Sequence, residues 1–389
     1  MDDIIELDRK YIAATYARFP LHIVSGSGSV AVGADGREYI DMSAGIAVNS
    51  FGISDKEWVA AVTEQLGKVQ HTSNLYYTEP CVRLAGMLCE RTGMDKVFFC
   101  NSGAEANECA IKAARKYAAE HKGEEYYNII TLKNSFHGRT VTTLAATGQD
   151  EYHTMFKPLT DGFVYAEPND IEDVRRKLDA NKTAAIMFEV VQGEGGVNAL
   201  SFDFVSGLRD LAREYEVLLI ADEVQTGNGR TGKLYGYMNY DVEPDIVTTA
   251  KGLAGGLPIG AVMFSRNVSG VYTPGTHGST FGGNPVCCAG AVNILSRIDE
   301  PLLEQVRQKS DFIRSAFEGA RGVRSVSGLG LMLGLDVEKD AKSVASECLD
   351  RGVLVLTAKN KVRLLPALNI PMDLLGRAVD IIKEVCAQS

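Results

Sequence analysis

The sequence predicts an α/β protein in which a large domain, built on a mainly parallel central sheet flanked by helices, is joined to a smaller α+β domain. Apolar runs such as Val217 to Ala221 have the composition of strands buried on both faces. From about Val97 to Ser265 such runs alternate with helical patterns, which is typical of parallel strands because each crossover needs a connection. A chain of 389 residues also favours more than one domain. We assign residues 55–293 to the large domain and residues 1–54 and 294–389 to the small one.

Composition argues against several classes of protein. An apolar content of 45% with 23% charged residues is ordinary for a globular chain and argues against disorder. The net charge of -10, without any basic run, argues against a nucleic-acid or anionic-membrane partner. The first residues, MDDIIELDRK, lack the apolar core of a secretory signal, and no run approaches the ~20 apolar residues that cross a bilayer. We therefore expect a cytoplasmic protein that binds neither membranes nor nucleic acids.

The cysteines and histidines predict no metal site. None of the eight cysteines forms a CxxC pair, and most lie in apolar segments, where reduced cysteine behaves as a small hydrophobe. The six histidines lack the ExxH and HxxxH spacings of metal ligands.

The N-terminal part is predicted to contain an arm, a hairpin and a helix. Tyr11 to Pro20 has no regular pattern and is predicted to be an irregular arm. Val30 to Val32 and Glu38 to Asp41 flank an Asp35-Gly36 turn, which predicts a hairpin. Apolar residues at helical spacing then predict a helix over Asp55 to Gln70, with a polar cap at or just before its first residue.

The segment His71 to Thr78 interrupts the helical pattern before another helix begins near Pro80. It reads HTSNLYYT and mixes polar with aromatic residues. It is either a solvated connector or a contact surface, and the sequence leaves both open.

A first candidate binding feature follows the short strand Val97 to Cys100. The segment Asn101-Ser-Gly-Ala-Glu-Ala-Asn107 leads into a helix rich in Ala, Lys and Arg. The free backbone N–H groups of a helix start suit a phosphate. Ser102 and Glu105 also have the spacing of a capping box, which needs no ligand. Both roles can hold at once.

A second feature is the tetrad Phe136-His137-Gly138-Arg139, which follows the predicted strand Ile129 to Leu132. An aromatic ring stacks on a flat cofactor, glycine permits close approach, and arginine binds a carboxylate through two hydrogen bonds. The alternative places Phe136 in the core and Arg139 on the surface as a solvated charge.

A third feature is the apolar strand Ala184 to Val191, which carries Glu189 near its carboxyl end and runs into Gln192-Gly-Glu194-Gly-Gly196. Acids in a glycine-rich loop at that edge of the sheet point to a site, and a glycine turn with solvated acids is the alternative. The predicted helix Phe202 to Tyr215 returns the chain to the next strand.

Two strand ends carry the clearest chemical signal. The run Val217 to Ala221 ends at Asp222, and the β-branched run Asp245 to Ala250 ends at Lys251. Ligands of open α/β sheets bind at the carboxyl ends of strands. A carboxylate that keeps a heterocyclic nitrogen protonated and an amine that condenses with an aldehyde are the protein's contribution to pyridoxal-phosphate chemistry. A capping role for Asp222 and a surface position for Lys251 are the alternatives.

The C-terminal part begins after the strand Ile259 to Phe264. Gly275 to Asn284 is rich in small and hydroxyl residues that wrap an anion or form a flexible loop. From about Ile294 the pattern changes to two helices, four strands and a last helix. These strands are predicted at Val323 to Val326, Leu331 to Asp336, Val353 to Leu356 and Val362 to Leu365. Arg363 must face a cleft or a partner acid, because an unpaired arginine is costly to bury.

Six motifs in order carry a resemblance: NSGAEANE, FHGRT, QGEGG, DEVQTG, AKG and GSTFGGNP. With them, the chain from about Thr15 to Pro366 resembles the class III aminotransferases, enzymes of fold type I that use pyridoxal 5′-phosphate. HTSNLYYTEP and FHGRT make it most similar to the acetylornithine branch. The resemblance implies transfer of the ω-amino group of N2-acetyl-L-ornithine to 2-oxoglutarate, giving N-acetyl-L-glutamate 5-semialdehyde and L-glutamate in arginine biosynthesis by ping-pong kinetics. Ornithine, 4-aminobutyrate and succinyldiaminopimelate aminotransferases of the same family are alternatives.

The resemblance also implies roles for individual residues. Lys251 would bond the cofactor and transfer protons, and Asp222 would pair with its pyridine nitrogen. The other implied cofactor-binding residues are Ser102, Gly103, Ala104, Phe136, His137, Val224, Gln225 and Thr280. The implied substrate-binding residues are Arg139, Glu194, Arg363, Ser279, Tyr16 and Asn74. Thr280 would act across a dimer interface, with Ser73 and Asn74 supplied by the neighbouring subunit, so the resemblance implies a homodimer with a composite site.

Dual specificity is implied to depend on Glu194, which would mask the charge of Arg363 while the ω-amino substrate is bound. Two residues depart from the family pattern. Val190 stands where the family commonly has proline, and Asn228 stands where it commonly has an apolar residue.

Two other enzyme classes fit the sequence poorly. The GLG fragment at Gly328 precedes a predicted strand rather than opening a helix, which argues against a nicotinamide oxidoreductase. The chain also lacks the GxxxxGK[ST] pattern of the simplest nucleotide hydrolases.

Overall fold

A computed structural model describes residues 4–388. Met1 to Asp3 and Ser389, which the sequence assigns to the small domain, lie outside the described residues. The helices of the described chain are α1 Ile4–Tyr11, α2 Ala44–Ala47, α3 Lys56–Leu66, α4 Glu79–Thr92, α5 Gly103–His121, α6 Val141–Ala146, α7 Ile171–Ala180, α8 Phe202–Glu214, α9 Pro285–Arg297, α10 Glu300–Phe317, α11 Ala341–Asp350 and α12 Met372–Ala387.

The strands of the described chain form one seven-stranded sheet, two four-stranded sheets and a two-stranded ribbon. They are β1 Ile23–Ser27, β2 Val30–Gly33, β3 Glu38–Asp41, β4 Lys96–Cys100, β5 Asn128–Leu132, β6 Phe163–Ala166, β7 Thr183–Phe188, β8 Val191–Gln192, β9 Asn198–Ala199, β10 Leu218–Asp222, β11 Ile246–Thr249, β12 Gly260–Phe264, β13 Val323–Leu329, β14 Met332–Val337, β15 Val353–Leu354, β16 Leu356–Ala358 and β17 Lys361–Leu364.

The seven-stranded sheet has the order β4-β12-β11-β10-β7-β5-β6. Strand β10 pairs in parallel with β7 and β11, and β5 pairs in parallel with β7 and β6. Only β12 runs against its neighbours β11 and β4. Every residue of β7, β10, β11 and β12 is buried, as expected for strands covered on both faces. The predicted mainly parallel sheet is confirmed.

The sheet brings the two predicted catalytic groups to one edge. Asp222 is the last residue of β10, and Lys251 follows the end of β11 after Ala250. Because β10 and β11 are parallel neighbours with Asp222 opposite Thr248, both side chains leave the sheet at its carboxyl edge.

Local signals predicted the N-terminal hairpin and the helix after it, but not α1, β1 or α2. Strands β2 and β3 form the predicted hairpin, with Val30 opposite Ile40. Helix α3 begins where the Asp55 carboxylate accepts a hydrogen bond of 3.0 Å from the Trp58 N–H. It ends earlier than predicted, at Leu66.

The predicted strand Val353 to Leu356 is wrong, because the chain changes sheets within it. Strand β15 pairs in parallel with β3 of the hairpin, whereas β16 pairs antiparallel with β17. The buried Val355 joins the two. Helix α11 was not predicted, although Asp340 caps it and apolar residues recur on its buried face.

Buried contacts join the regions assigned to the two domains. One hydrophobic cluster contains residues of both. Arg230 is 2% exposed and donates hydrogen bonds to the carbonyls of Leu331 (3.2 Å) and Pro366 (2.5 Å). The division at residues 293 and 294 stays a prediction, and α9 passes across it. Within residues 4–388, no helix has both the length and the apolarity needed to cross a bilayer.

Candidate active site

A cavity of about 430 Å³ lies at the carboxyl edge of the seven-stranded sheet. It is lined by ten of the residues that the sequence assigned to the site: Ser102, Gly103, Ala104, Phe136, His137, Arg139, Asp222, Val224, Gln225 and Lys251. Asn107 and Glu189 also line it. Residues more than a hundred positions apart therefore share one chamber.

Three donors hold the Asp222 carboxylate. Its Oδ2 lies 2.7 Å from His137 Nδ1 and 2.7 Å from Asn107 Nδ2, and its Oδ1 accepts a hydrogen bond of 3.0 Å from the Val224 N–H. Asn107 is in turn fixed by the Thr248 hydroxyl, which donates to Asn107 Oδ1 at 2.7 Å. These three hydrogen bonds hold the carboxylate in one orientation.

Asn107 is a site residue that the sequence did not reveal. It was assigned only to the segment before a helix, whereas it lies inside α5 and is 1% exposed. Its Nδ2 bridges the His137 carbonyl and Asp222. The available signal was an amide among the small apolar residues Ala106, Cys109 and Ala110, because a buried polar side chain needs partners.

Lys251 has an unusual backbone and a shifted pKa. Its φ of +44° lies in the left-handed region, which a residue with a side chain adopts only when its surroundings impose it. Its amine donates no hydrogen bond to a described residue. Burial lowers the pKa of Lys251, although the negative charge of Glu194 opposes this shift. A lower pKa makes the amine a better nucleophile at neutral pH.

The start of α5 offers amide donors to an anion. The Ser102 hydroxyl accepts a hydrogen bond of 3.2 Å from the Glu105 N–H, as in a capping box. The Glu105 carboxylate accepts from the Asn101 N–H at 2.9 Å, so the second half of the predicted box is displaced by one residue. Gly103 packs so tightly that a Cβ there would lie 2.6 Å from Val224 Cγ1. Glycine thus lets Val224 close on the helix start.

The tetrad Phe136 to Arg139 forms one wall of the cavity. The Phe136 N–H donates to Glu189 Oε2 at 2.9 Å. Burial, together with the negative charge of Asp222, raises the pKa of Glu189 well above its ordinary value. The exposed Arg139 guanidinium lies 4.4 Å from the ring centroid of Tyr152 and 5.4 Å from that of Phe136. Tyr152 was not predicted, and these two rings hold Arg139 at the mouth of the cavity.

Arg363 meets a partner acid, as predicted. Its guanidinium is 3% exposed and lies 2.7 Å from Glu194 Oε1. Gln225 lies between them, at 3.5 Å from Glu194 and 3.4 Å from Arg363. Burial favours the neutral form of Glu194, but Arg363, together with Lys251 and Gln225, outweighs burial and holds the pKa of Glu194 below its ordinary value.

Six predicted residues do not line this cavity: Glu194 and Arg363, described above, and Asn74, Ser279, Thr280 and Tyr16. Asn74 Nδ2 donates to the Ser279 carbonyl at 2.9 Å within the same chain, and Ser279 Oγ lies 3.2 Å from Asn101 Nδ2. Asn74, Ser279 and the neighbouring exposed Thr280 therefore form one surface unit. Tyr16 lines a different cavity of about 580 Å³, beside the N-terminal arm.

The donor set fits pyridoxal 5′-phosphate. A nucleophilic amine, a carboxylate at the next strand tip, a helix start and an aromatic wall face one cavity of sufficient size. Among the described residues, no cluster of three or more His, Cys, Asp or Glu side chains is placed to hold a metal ion. The fold and this cavity define a pyridoxal-phosphate-dependent enzyme of fold type I.

Comparisons with known proteins identify the family. The sequence profile described as "Aminotransferase class-III" matches residues 11–386, and the chain belongs to this aminotransferase family. It is 47% identical to "Acetylornithine aminotransferase" of Haemophilus ducreyi over 389 residues, covering 100% of this chain and 99% of that protein. It is 44% identical to "Succinylornithine transaminase" of Salmonella newport, covering 97% and 95% of the two chains. The crystal structure of the ornithine aminotransferase from Toxoplasma gondii ME49 superimposes with a TM-score of 0.95 at 32% identity, covering 98% and 94%.

Proposed function

We propose that this enzyme transfers the ω-amino group of N2-acetyl-L-ornithine to 2-oxoglutarate, giving N-acetyl-L-glutamate 5-semialdehyde and L-glutamate. The carrying observation is the ionic Glu194–Arg363 pair, which contacts the cavity residue Gln225. Such a pair lets one pocket accept an ω-amine in one half-reaction and an α-amino acid in the other. The acetylornithine aminotransferase relative, 47% identical over the whole chain, supports the same substrate and a place in arginine biosynthesis.

The residues of the chain divide the chemistry between them. When bound, pyridoxal 5′-phosphate supplies an electron sink for the charge that develops on the substrate carbon. The start of α5 would bind the phosphate through backbone N–H groups, and Phe136 and Val224 would hold the ring between them. Asp222 would hold a proton at the ring nitrogen, and Gln225 would donate to the ring oxygen. Lys251 Nζ takes the proton from the substrate carbon and returns it to the acceptor carbon.

Two arginines bind different carboxylates of the substrates. Arg139, held over the Tyr152 ring at the cavity mouth, binds the carboxylate of the amine donor. Arg363 binds the α-carboxylate of glutamate or 2-oxoglutarate once Glu194 has moved away. While Glu194 stays, the charge of Arg363 is neutralised and the pocket accepts an uncharged ω-amino chain.

Replacing Glu194 with alanine is expected to separate the two half-reactions. The glutamate half-reaction should keep or gain rate, because Arg363 is then always free. The acetylornithine half-reaction should slow by about tenfold or more, because a buried, uncompensated guanidinium faces the neutral chain. Stopped-flow absorbance of the bound cofactor measures each half-reaction separately. Glu214→Ala, which breaks an exposed pair of 2.7 Å with Arg175, is the control. Equal losses in both half-reactions would refute the switch.

A homodimer completes the proposed site. The loop that bears Asn74 also exposes Leu75, Tyr76 and Tyr77, and Tyr77 is 99% exposed. A contiguous apolar surface of this kind favours a protein interface. There, Thr280 would reach the phosphate of the partner subunit. A monomeric mass in sedimentation equilibrium of the active enzyme would contradict the proposed homodimer.

The eight unpaired cysteines fit a reducing compartment, and we assign the enzyme to the cytoplasm.

A panel of amine donors with 2-oxoglutarate tests the substrate. N2-acetylornithine is expected to give the highest kcat/KM. N2-succinylornithine is the second candidate because of the succinylornithine transaminase relative. Ornithine and 4-aminobutyrate, which lack the acylated α-amine, should be slower.

The purified protein should be yellow, and borohydride should fix the cofactor on Lys251. A protein that takes up no cofactor would overturn the function itself, whereas a preference for ornithine would overturn only the substrate.

A further inference from the structure

The loop after Asp222 passes over the backbone that carries Lys251. The Glu223 N–H donates to the Thr248 carbonyl at 2.9 Å, so the loop starts alongside the end of β11. A few residues later, Asn228 points back at the same strand end. It is 3% exposed, and its Nδ2 donates to Thr249 Oγ1 at 3.0 Å and to the Ala250 carbonyl at 3.3 Å. One amide thereby ties the loop of one catalytic group to the turn of the other.

The turn at Lys251 needs such support because its backbone is strained. Lys251 has φ +44°, a conformation that a residue with a side chain keeps only when its surroundings impose it. From the opposite side, the buried Ser50 hydroxyl donates to the Gly252 carbonyl at 3.0 Å. The carbonyls on both sides of Lys251 are thus bound by side chains that come from distant parts of the sequence.

We propose that Asn228, with Ser50, is a positioning residue that clamps the Ala250–Gly252 backbone and so sets where the Lys251 amine stands relative to Asp222. The inference deepens the proposed function and rests on the role given there to Lys251. Asn228 does not line the cavity. It acts through the lysine backbone.

Local conformation gives a competing explanation for this asparagine. Asn228 itself has φ +56°, and asparagine is one of the few residues that adopt this region readily. A purely local role, however, does not require the side chain to be buried and bonded to the strand end before Lys251. Asn169, with φ +62°, has the same backbone conformation without burial: it is exposed, and its Oδ1 accepts from the Ser201 N–H at 2.9 Å.

The substitution Asn228→Gly separates the two explanations, because glycine keeps the positive φ and removes the amide. We expect kcat for acetylornithine and for glutamate to fall about tenfold, since misplacement of a proton-transfer group lowers the rate without weakening binding. KM for both donors should stay within about twofold. Without the Asn228 amide, the Lys251 side chain is expected to reach water. The pKa of Lys251 in the cofactor-free variant should therefore rise toward its ordinary value. The pH dependence of its condensation rate with pyridoxal 5′-phosphate measures this pKa.

Asn169→Gly is the matched control. It makes the same change at an asparagine whose φ is also positive and which does not line the cavity. It should leave kcat and the Lys251 pKa unchanged. If Asn228→Gly lowers only the melting temperature, by as much as Asn169→Gly, Asn228 is structural and the proposal is wrong. If Asn228→Gly does not fold, Ser50→Ala carries the test, with the same pattern expected at a smaller size. Should wild-type protein form no bond with the cofactor at Lys251, the proposed function fails instead.

Discussion

Replacing Asp222 with asparagine is expected to lower kcat/KM by about a hundred- to a thousandfold for every amine donor. Asparagine keeps the shape of the side chain, but it removes the negative charge that, in the proposed mechanism, would hold a proton at the ring nitrogen of the cofactor. Each pKa unit lost at that nitrogen corresponds to about 1.4 kcal/mol of differential stabilisation. Because both half-reactions use the same electron sink, both should slow by similar factors. Steady-state kinetics and single-turnover absorbance measure the two losses.

Asp245→Asn is the matched control for this substitution. Asp245 is a buried carboxylate that precedes β11, and it accepts hydrogen bonds from the Leu219 N–H at 2.8 Å and from Arg209 at 3.0 Å. It does not line the cavity. Its replacement should lower the melting temperature and spare the kinetics. If Asp222→Asn lost stability in the same way and kept its turnover, the carboxylate would serve the fold rather than the chemistry.

The positions of Asp222 and Lys251 were predictable because both follow from local patterns. A buried apolar run that ends in a polar residue marks the tip of a strand, and parallel neighbours put their tips on one edge. The same logic found Glu189, which follows β7. The tetrad at Phe136 and the start of α5 were predictable for a similar reason, since each begins within four residues of the end of a strand of the same sheet.

Asn107 and Tyr152 escaped prediction because their roles depend on packing between distant elements. Helical spacing places Asn107 on the buried face of α5, but it does not show that the Asp222 carboxylate lies opposite. Tyr152 belongs to a short turn after α6, and only the folded chain brings its ring beneath Arg139. Neither contact has a signature in the spacing of residues along the sequence.

The failure at Val353 to Leu356 has a similar origin. Four apolar residues in a row satisfy the pattern of one strand, and nothing local shows that β15 and β16 join different sheets. The choice is made by β3, which is more than three hundred positions earlier and pairs with Val353 and Leu354. Non-local pairing of this kind is the part of a fold that pattern analysis cannot reach.

Replacing Lys251 with alanine is expected to give the largest loss, of about ten-thousandfold or more in kcat. The substitution removes the amine that, in the proposed mechanism, would both bond the cofactor and carry the proton between carbons. A small primary amine added to the variant should restore part of the turnover, because it supplies a base in the space that the side chain leaves. Borohydride should no longer attach the cofactor to the protein, and mass spectrometry of peptides detects that change.

Lys309 distinguishes this outcome from a general effect of losing a buried lysine. Lys309 is 4% exposed, its Nζ donates to the Leu368 carbonyl at 2.8 Å, and burial lowers its pKa to about 8. Its amine is therefore also more nucleophilic than that of an exposed lysine, but it does not line the cavity. We expect Lys309→Met to keep its activity and its borohydride label at Lys251. Two outcomes would contradict the role given to Lys251: a borohydride label that moved to Lys309, or a Lys251→Ala variant that kept a tenth of the normal turnover rate. Either would show that burial and a low pKa are enough for a lysine to act on the cofactor, without a position at the tip of β11.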